Sequence, residues 1–308
     1  MDKVLHVLEL VLPVLVTLSL GYFAKCNKLI GPQVIEGIKT LVMSFMLPAV
    51  LLGAFYKTSF GKDRVLITTI IFLVCIIGLV CGSLLLRLIP KSDSLLPFFT
   101  TGFEAGMMGF GLYTMLFSAA ETHYFASVEL GQEIFVFTVY MALLNKRNGL
   151  SGKETIKSMF KTPVFWAILV GTLLSISGIG TTFANTPISA PIDSLLLYVG
   201  TPTGMLMIFV VGYQIAIDPT RIKSALVVTL LRTVLMALLC FVVIHILGLF
   251  VTMSKPLFWA TILLFSLPAP FVLPIFSDDK EKEGFIATTL SIGTLFSIAF
   301  FVVISFLQ

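Results

Sequence analysis

An all-α membrane protein of ten transmembrane helices, arranged as two inverted repeats of five, is the fold this sequence predicts. Three observations point to it. Hydrophobic residues make up 57% of the 308-residue chain and charged residues only 12%, more apolar surface than one water-soluble core can use. Ten apolar stretches of spanning length, about 20 residues each, follow one another with short polar links. The fourth stretch of each half is interrupted by glycines or prolines at mid-membrane depth.

The spans fall at 4–24, 34–55, 65–88, 96–117, 125–144, 164–180, 193–215, 224–250, 257–276 and 285–307. The first is too long for the apolar core of a cleaved leader and is closed by Lys25 and Lys28, so it reads as a true span. Span 2 carries Pro48 ahead of Gly53, and span 7 carries Pro202 ahead of Gly212. The sixth is the shortest, and the segment from Phe183 to Pro191 reads as an irregular outer loop. Cys75, Cys81 and Cys240 fall within spans and Cys26 on the reducing side, so no disulfide framework is expected.

Lys and Arg placement sets the orientation. Of the 20 such residues, thirteen fall on the side of Lys25, Arg87, Lys146 and Arg221, and five on the side of Lys3, Lys57, Lys62, Arg64 and Lys255; Lys39 and Arg232 lie inside spans. The richer side is cytoplasmic and both termini face outward, with the plasma membrane as the expected location. These loops account for the net charge of +4, which asks for no nucleic-acid partner.

Five spans (1–144) precede a cytoplasmic connection (145–162, with Gly149, Ser151 and Gly152) and five (163–308) follow it. An odd number makes the second half enter from the opposite face, the geometry of an inverted repeat. Span 4 reads Thr100-Thr101-Gly102-Phe103-Glu104-Ala105-Gly106-Met107-Met108-Gly109-Phe110-Gly111. Span 9 reads Ser266-Leu267-Pro268-Ala269-Pro270-Phe271-Val272-Leu273-Pro274. Prolines remove backbone donors, and freed polar groups at membrane depth are tolerated only inside protein or beside water. Broken helices there aim their ends at a ligand, although glycines also serve close packing and prolines also merely kink.

Several stretches resemble the auxin efflux carrier family, which includes bacterial malate or malonate permease-like proteins. They are Leu20-Gly21-Tyr22 with Leu29-Ile30, Leu47-Pro48-Ala49-Val50-Leu51-Leu52, Gly212-Tyr213-Gln214-Ile215, Leu267-Pro268, and Leu290-Ser291 through Thr294 and Ser297. The resemblance implies the architecture of sodium/proton antiporters and bile-acid symporters: a scaffold of spans 1, 2, 6 and 7, and a transport domain of spans 3–5 and 8–10 in which broken spans 4 and 9 cross. In span 4 this chain departs from the family, with Glu104 near the family's Asn and Gly111 near its crossover proline.

Ionisable groups within spans cost at least about 2.5–3.5 kcal/mol each at the bilayer centre and are functional candidates by default. Glu104, beside Gly106, Gly109 and Gly111, is the leading one, as a proton carrier, a Na⁺ ligand or a substrate contact; a protonated, bonded carboxyl is the plainer reading. Glu129 and Glu133 share a helix face, and Glu133 is expected either to approach Glu104 in a Na⁺ site or to pair with Arg232. Arg232 either neutralises a carboxylate, attracts an anion, or snorkels to the interface. Thr203, Ser266, Pro268 and Pro270 complete the candidate substrate- or ion-binding set.

A secondary transporter of small organic anions, mono- or dicarboxylates, working by alternating access with H⁺ or Na⁺ coupling, is the function these features favour. A potential-driven uniporter or channel is the alternative, since a negative interior drives anion efflux at about 2.3 kcal/mol per charge per 100 mV. An intramembrane enzyme is disfavoured: no GxSxG elbow occurs, His6, His123 and His245 all lie toward the outer side, and nothing calls for a cofactor or a structural metal. The expected partners are the organic anion, the coupling ion and lipid, with a homodimer left open.

Overall fold

The computed structural model describes residues 2–56, 61–88, 95–147, 157, 160–276 and 280–308, and every regular element among them is helical. Helix α1 (Asp2–Cys26) makes the first pass. The second begins at α2 (Pro32–Leu41), where Pro32 occupies a first-turn position whose N–H would have no acceptor. It widens through a π turn (Val42–Met46) into α3 (Leu47–Tyr56). The wide turn sits just before Pro48, which has no N–H to return to the preceding turn. Helix α4 (Lys62–Leu88) is unbroken. The stretch expected as span 4 consists of α5 (Leu96–Phe99), a non-helical link at 100–104, a π turn (Ala105–Gly109) and α6 (Phe110–Leu116). The fifth joins α7 (Thr122–Phe135) to α8 (Met141–Arg147) through a third π turn.

In the second half, α9 (Pro163–Ile176) is followed by Gly178 at φ 72° and α10 (Ile179–Ala184). Helices α11 (Ser189–Gly200) and α12 (Thr203–Gln214) are separated at Thr201-Pro202. Helix α13 (Ile222–Phe250) has 29 residues, about 43 Å at 1.5 Å per residue. Helix α14 (Lys255–Ser266) stops at the proline-rich link, a short 3₁₀ turn (Leu273–Phe276) follows, and α15 (Lys280–Leu307) ends the chain.

Among the described residues, seven helical stretches are long and apolar enough to cross a membrane, and Pro163–Ile176 and Lys255–Ser266 are shorter apolar helices. Three expected spans are therefore not continuous helices. Span 6 ends its helix at Ile176 instead of 180, because the glycine at 178 takes up a left-handed conformation that closes helices. Spans 4 and 9 are interrupted where their sequences carry Gly102 and Pro268-Ala269-Pro270. The connection expected at 145–162 lies largely outside the described residues.

Helix α1 packs on α12, and α9 and α11 pack on α3. Helix α4 packs on α7 and α5, while α13 packs on α14 and α15. Contact between α1 and α12 is very close: a Cβ at Gly21 would lie 2.1 Å from the Phe209 carbonyl oxygen, and one at Gly212 2.0 Å from that of Leu18. On α13, Leu230, Val234, Leu238 and Phe241 form an exposed stripe at helical spacing, whereas Thr229, Arg232, Met236 and Cys240 on the opposite stripe are buried. Such a helix shows one face to lipid and keeps its polar groups toward protein.

Helix crossover and candidate substrate cavity

The two interrupted passes meet at their breaks. Glu104 N–H donates to the Pro268 carbonyl at 3.0 Å, and the Phe271 N–H donates to Glu104 Oε2 at 2.5 Å. Gly102 adopts φ 67°, and a Cβ there would come within 2.9 Å of the Pro270 ring. Only glycine satisfies both the left-handed backbone and that contact.

Neighbouring helices hold the 100–104 link by its backbone or its hydroxyls. From α4, the carbonyl of Gly78 accepts from Thr100 Oγ1 at 3.2 Å and that of Cys75 from Thr101 Oγ1 at 2.5 Å. From α7, Gln132 takes both backbone groups of Phe103: its Nε2 donates to the carbonyl at 3.0 Å and its Oε1 accepts from the N–H at 3.4 Å. From α13, Arg232, 6% exposed, donates to four carbonyls: Phe99 at 2.6 Å, Thr101 at 3.4 Å, Gly102 at 2.6 Å and Leu267 at 3.0 Å. Its guanidinium also stacks 5.3 Å from the Phe103 ring centroid.

The charges match the helix ends they face. Carbonyls left over where α5 and α14 stop carry partial negative charge and receive the guanidinium. The N–H of Phe271, two residues ahead of the short 3₁₀ turn Leu273–Phe276, meets the Glu104 carboxylate. Pro268 and Pro270 were expected to free polar groups toward a cavity. Instead the carbonyls of Leu267 and Pro268 and the N–H of Phe271 are all bonded within the crossover itself.

One expectation about the charges is corrected. Arg232 neither snorkels nor pairs with Glu133, because four backbone acceptors surround it at depth. Glu133 lies beside Glu129 and Gln132, whose Nε2 donates to Glu133 Oε2 at 3.4 Å and to the carbonyl of Phe103, the residue next to Glu104, at 3.0 Å. Glu129, 1% exposed, leaves Oε2 without a hydrogen-bond partner. Ser266 spends its hydroxyl on its own helix, donating to Leu263 at 2.7 Å, and its carbonyl accepts from Ser297 at 2.6 Å.

A cavity of about 470 Å³ opens between α3, α6, the start of α7, and the α11–α12 junction. Its walls are mostly apolar, with Thr114, Thr122, His123, Asp193, Thr201 and Thr203 as polar points. That size and composition suit a small-molecule site. Gly111 and Gly204 close one side: a Cβ on either would lie 3.1 Å from the Cα of the other. Gly111 is thus not a crossover residue, as its place near the family's proline suggested, but a contact between α6 and α12. Gly106 faces Leu47 of α3, and Gly109 is pressed against Phe125 and Leu267.

Thr203 follows Pro202 at the start of α12, a helix with no side-chain cap. It is 3% exposed, and its hydroxyl has no hydrogen-bond partner among the described residues. Buried hydroxyls without partners are uncommon and call for an explanation. Asp193, another lining residue, accepts from Tyr56 OH at 2.5 Å. Arg64, by sequence an outer loop charge, is buried in the first turn of α4 within electrostatic reach of His123.

Gln132, Arg64, Tyr56 and Asp193 do not stand out from the sequence as site residues. Gln132 alone offers a signal, as an amide side chain between the two carboxylates Glu129 and Glu133.

Against known proteins, residues 6–158 match the family described as membrane transport protein. No curated protein matches the chain.

Proposed function

We propose, from the premise that this chain belongs through residues 6–158 to the membrane transport protein family, that it is a secondary transporter of a small organic anion. The observation that carries the reading is the cavity of about 470 Å³ with buried Thr203 among its lining residues. The unpartnered hydroxyl and the uncapped, partly positive start of α12 suit a carboxylate. Apolar walls from Val50, Phe110, Leu196 and Leu197 suit the hydrocarbon part of a mono- or dicarboxylate.

The ten passes read as two inverted repeats, with passes 4 and 9 as the equivalent broken helices. Passes 1, 2, 6 and 7 form the scaffold, and passes 3–5 and 8–10 the moving unit. Alternating access follows if α6 and α7 slide against α3, α11 and α12. The glycine contact at 111 and 204 leaves no side chain to interlock across that boundary. On the charge bias of the loops, the cavity lies on the outer side of a plasma-membrane protein with outward termini. Coupling, where used, falls to H⁺ on the Glu129–Glu133 pair.

The test is counterflow in proteoliposomes, screened over mono- and dicarboxylates. A carrier gives saturable exchange with at least one of them. Non-saturating conductance would identify a channel, and exchange of organic cations alone would remove the anion reading.

A further inference from the structure

We propose that the crossover is a monovalent-cation site that the chain fills with its own side chain, the Arg232 guanidinium. Broken helices that cross bring C-terminal carbonyls together, and those partial negative charges need a cation. A dissolved ion can supply it, as can a tethered one. Here the acceptors come from three stretches: Phe99 at the end of α5, Thr101 and Gly102 in the link, and Leu267 past the end of α14. A planar guanidinium with five donors in a fixed fork reaches them simultaneously; a lysine ammonium is a point charge and does not.

Nothing else among the described residues claims the group. Arg232 is 6% exposed, and all its hydrogen-bond acceptors among those residues are backbone carbonyls. An arginine placed to bind substrate would turn its terminal nitrogens to the ligand, whereas Nη1 and Nη2 of Arg232 each donate to two backbone carbonyls. It lines two small cavities of about 20 and 10 Å³, both also lined by Thr229, whose buried hydroxyl has no hydrogen-bond partner. The larger has room for about one water. The site is therefore enterable by a small species but too full for Na⁺ with a coordination shell while Arg232 is present. Under the carrier reading above, Na⁺ then has no place at the crossover, and flux is independent of it.

The test needs neither substrate nor flux, so it can fail separately from the carrier reading. Thermal unfolding of the detergent-solubilised protein is compared in NaCl, choline chloride and millimolar guanidinium chloride. The wild type should show the same Tm in NaCl and choline chloride and no gain from guanidinium. R232A should unfold earlier and recover by about 3 °C when guanidinium reaches ten times its Kd. R232K, whose side chain still occupies the site, should not recover. Should R232A not be obtained folded, R232Q carries the same comparison. A wild-type Tm raised by Na⁺ over choline would overturn the proposal. So would an R232A or R232Q protein that guanidinium fails to stabilise.

Discussion

Replacing Thr203 by valine exchanges one hydroxyl for a methyl at nearly constant shape, in a residue that is 3% exposed. In the free protein this hydroxyl has no hydrogen-bond partner, so its removal breaks no internal bond. Burying an unpaired hydroxyl costs about 1–3 kcal/mol by protein mutational data. Thr203→Val should thus unfold at the same temperature as wild type or somewhat higher. Transport should move the other way. If the hydroxyl donates to a substrate carboxylate, a bond to a charged group, its loss removes about 1.5–3 kcal/mol of binding, or roughly 10- to 150-fold in affinity. The assay is half-saturation in proteoliposome counterflow alongside thermal unfolding, with Thr203→Ser restoring affinity. A valine variant with wild-type half-saturation would refute the placement of the carboxylate. A valine variant destabilised by more than about 1 kcal/mol would show that the hydroxyl has a structural role.

Three further outcomes follow from the same geometry. Gln132→Leu should lower stability by about 2–5 kcal/mol, since both backbone groups of Phe103 lose their partner inside the protein; thermal unfolding checks this, and an unchanged Tm would mean the link is held without it. Glu104→Gln keeps an acceptor for the Phe271 N–H but trades a charged bond for a neutral one, costing about 1 kcal/mol, whereas Glu104→Ala should cost about 3 kcal/mol by orphaning that amide; equal Tm values for the two would contradict the role of Glu104 as acceptor for that amide. Gly212→Ala would place a methyl 2.0 Å from the Leu18 carbonyl oxygen, forcing α1 and α12 apart at about 1–3 kcal/mol, which a lower yield of folded protein and a lower Tm would register.

Much of this is readable in the sequence, and the parts that are not share a cause. Helices appear wherever apolar runs ask for them, because a segment in hydrocarbon must satisfy its own backbone. The breaks at Gly102 and at Pro268-Ala269-Pro270 are also local: proline lacks a donor and glycine tolerates positive φ. Gly178 is likewise legible as the end of a helix. What the breaks release, however, is bonded by residues far away in the chain. Arg232 reads as a ligand or a snorkelling charge because its acceptors, the carbonyls of Phe99, Gly102 and Leu267, exist only once two other helices stop beside it. Glu133 reads as one partner for Arg232 because both are deep charges, yet depth says nothing about azimuth around a bundle, and the guanidinium meets carbonyls instead. Gly111 falls at the crossover by position in a motif, and its real neighbour is Gly204, nearly a hundred residues away in sequence. Hydrophobic pattern sets how many times a chain crosses; which polar groups meet is set by packing between passes.

The claim that the cavity between α3, α6, α7 and the α11–α12 junction is the anion's entry path is tested most directly by labelling a cysteine placed at Leu196, in its wall, with exposed Cys26 replaced by serine. The account predicts that a membrane-impermeant thiol reagent added outside modifies Leu196→Cys, that the modification stops flux, and that a transported organic acid slows it at concentrations matching its half-saturation. Modification that proceeds at the same rate with and without that acid, or that leaves flux intact, would contradict it.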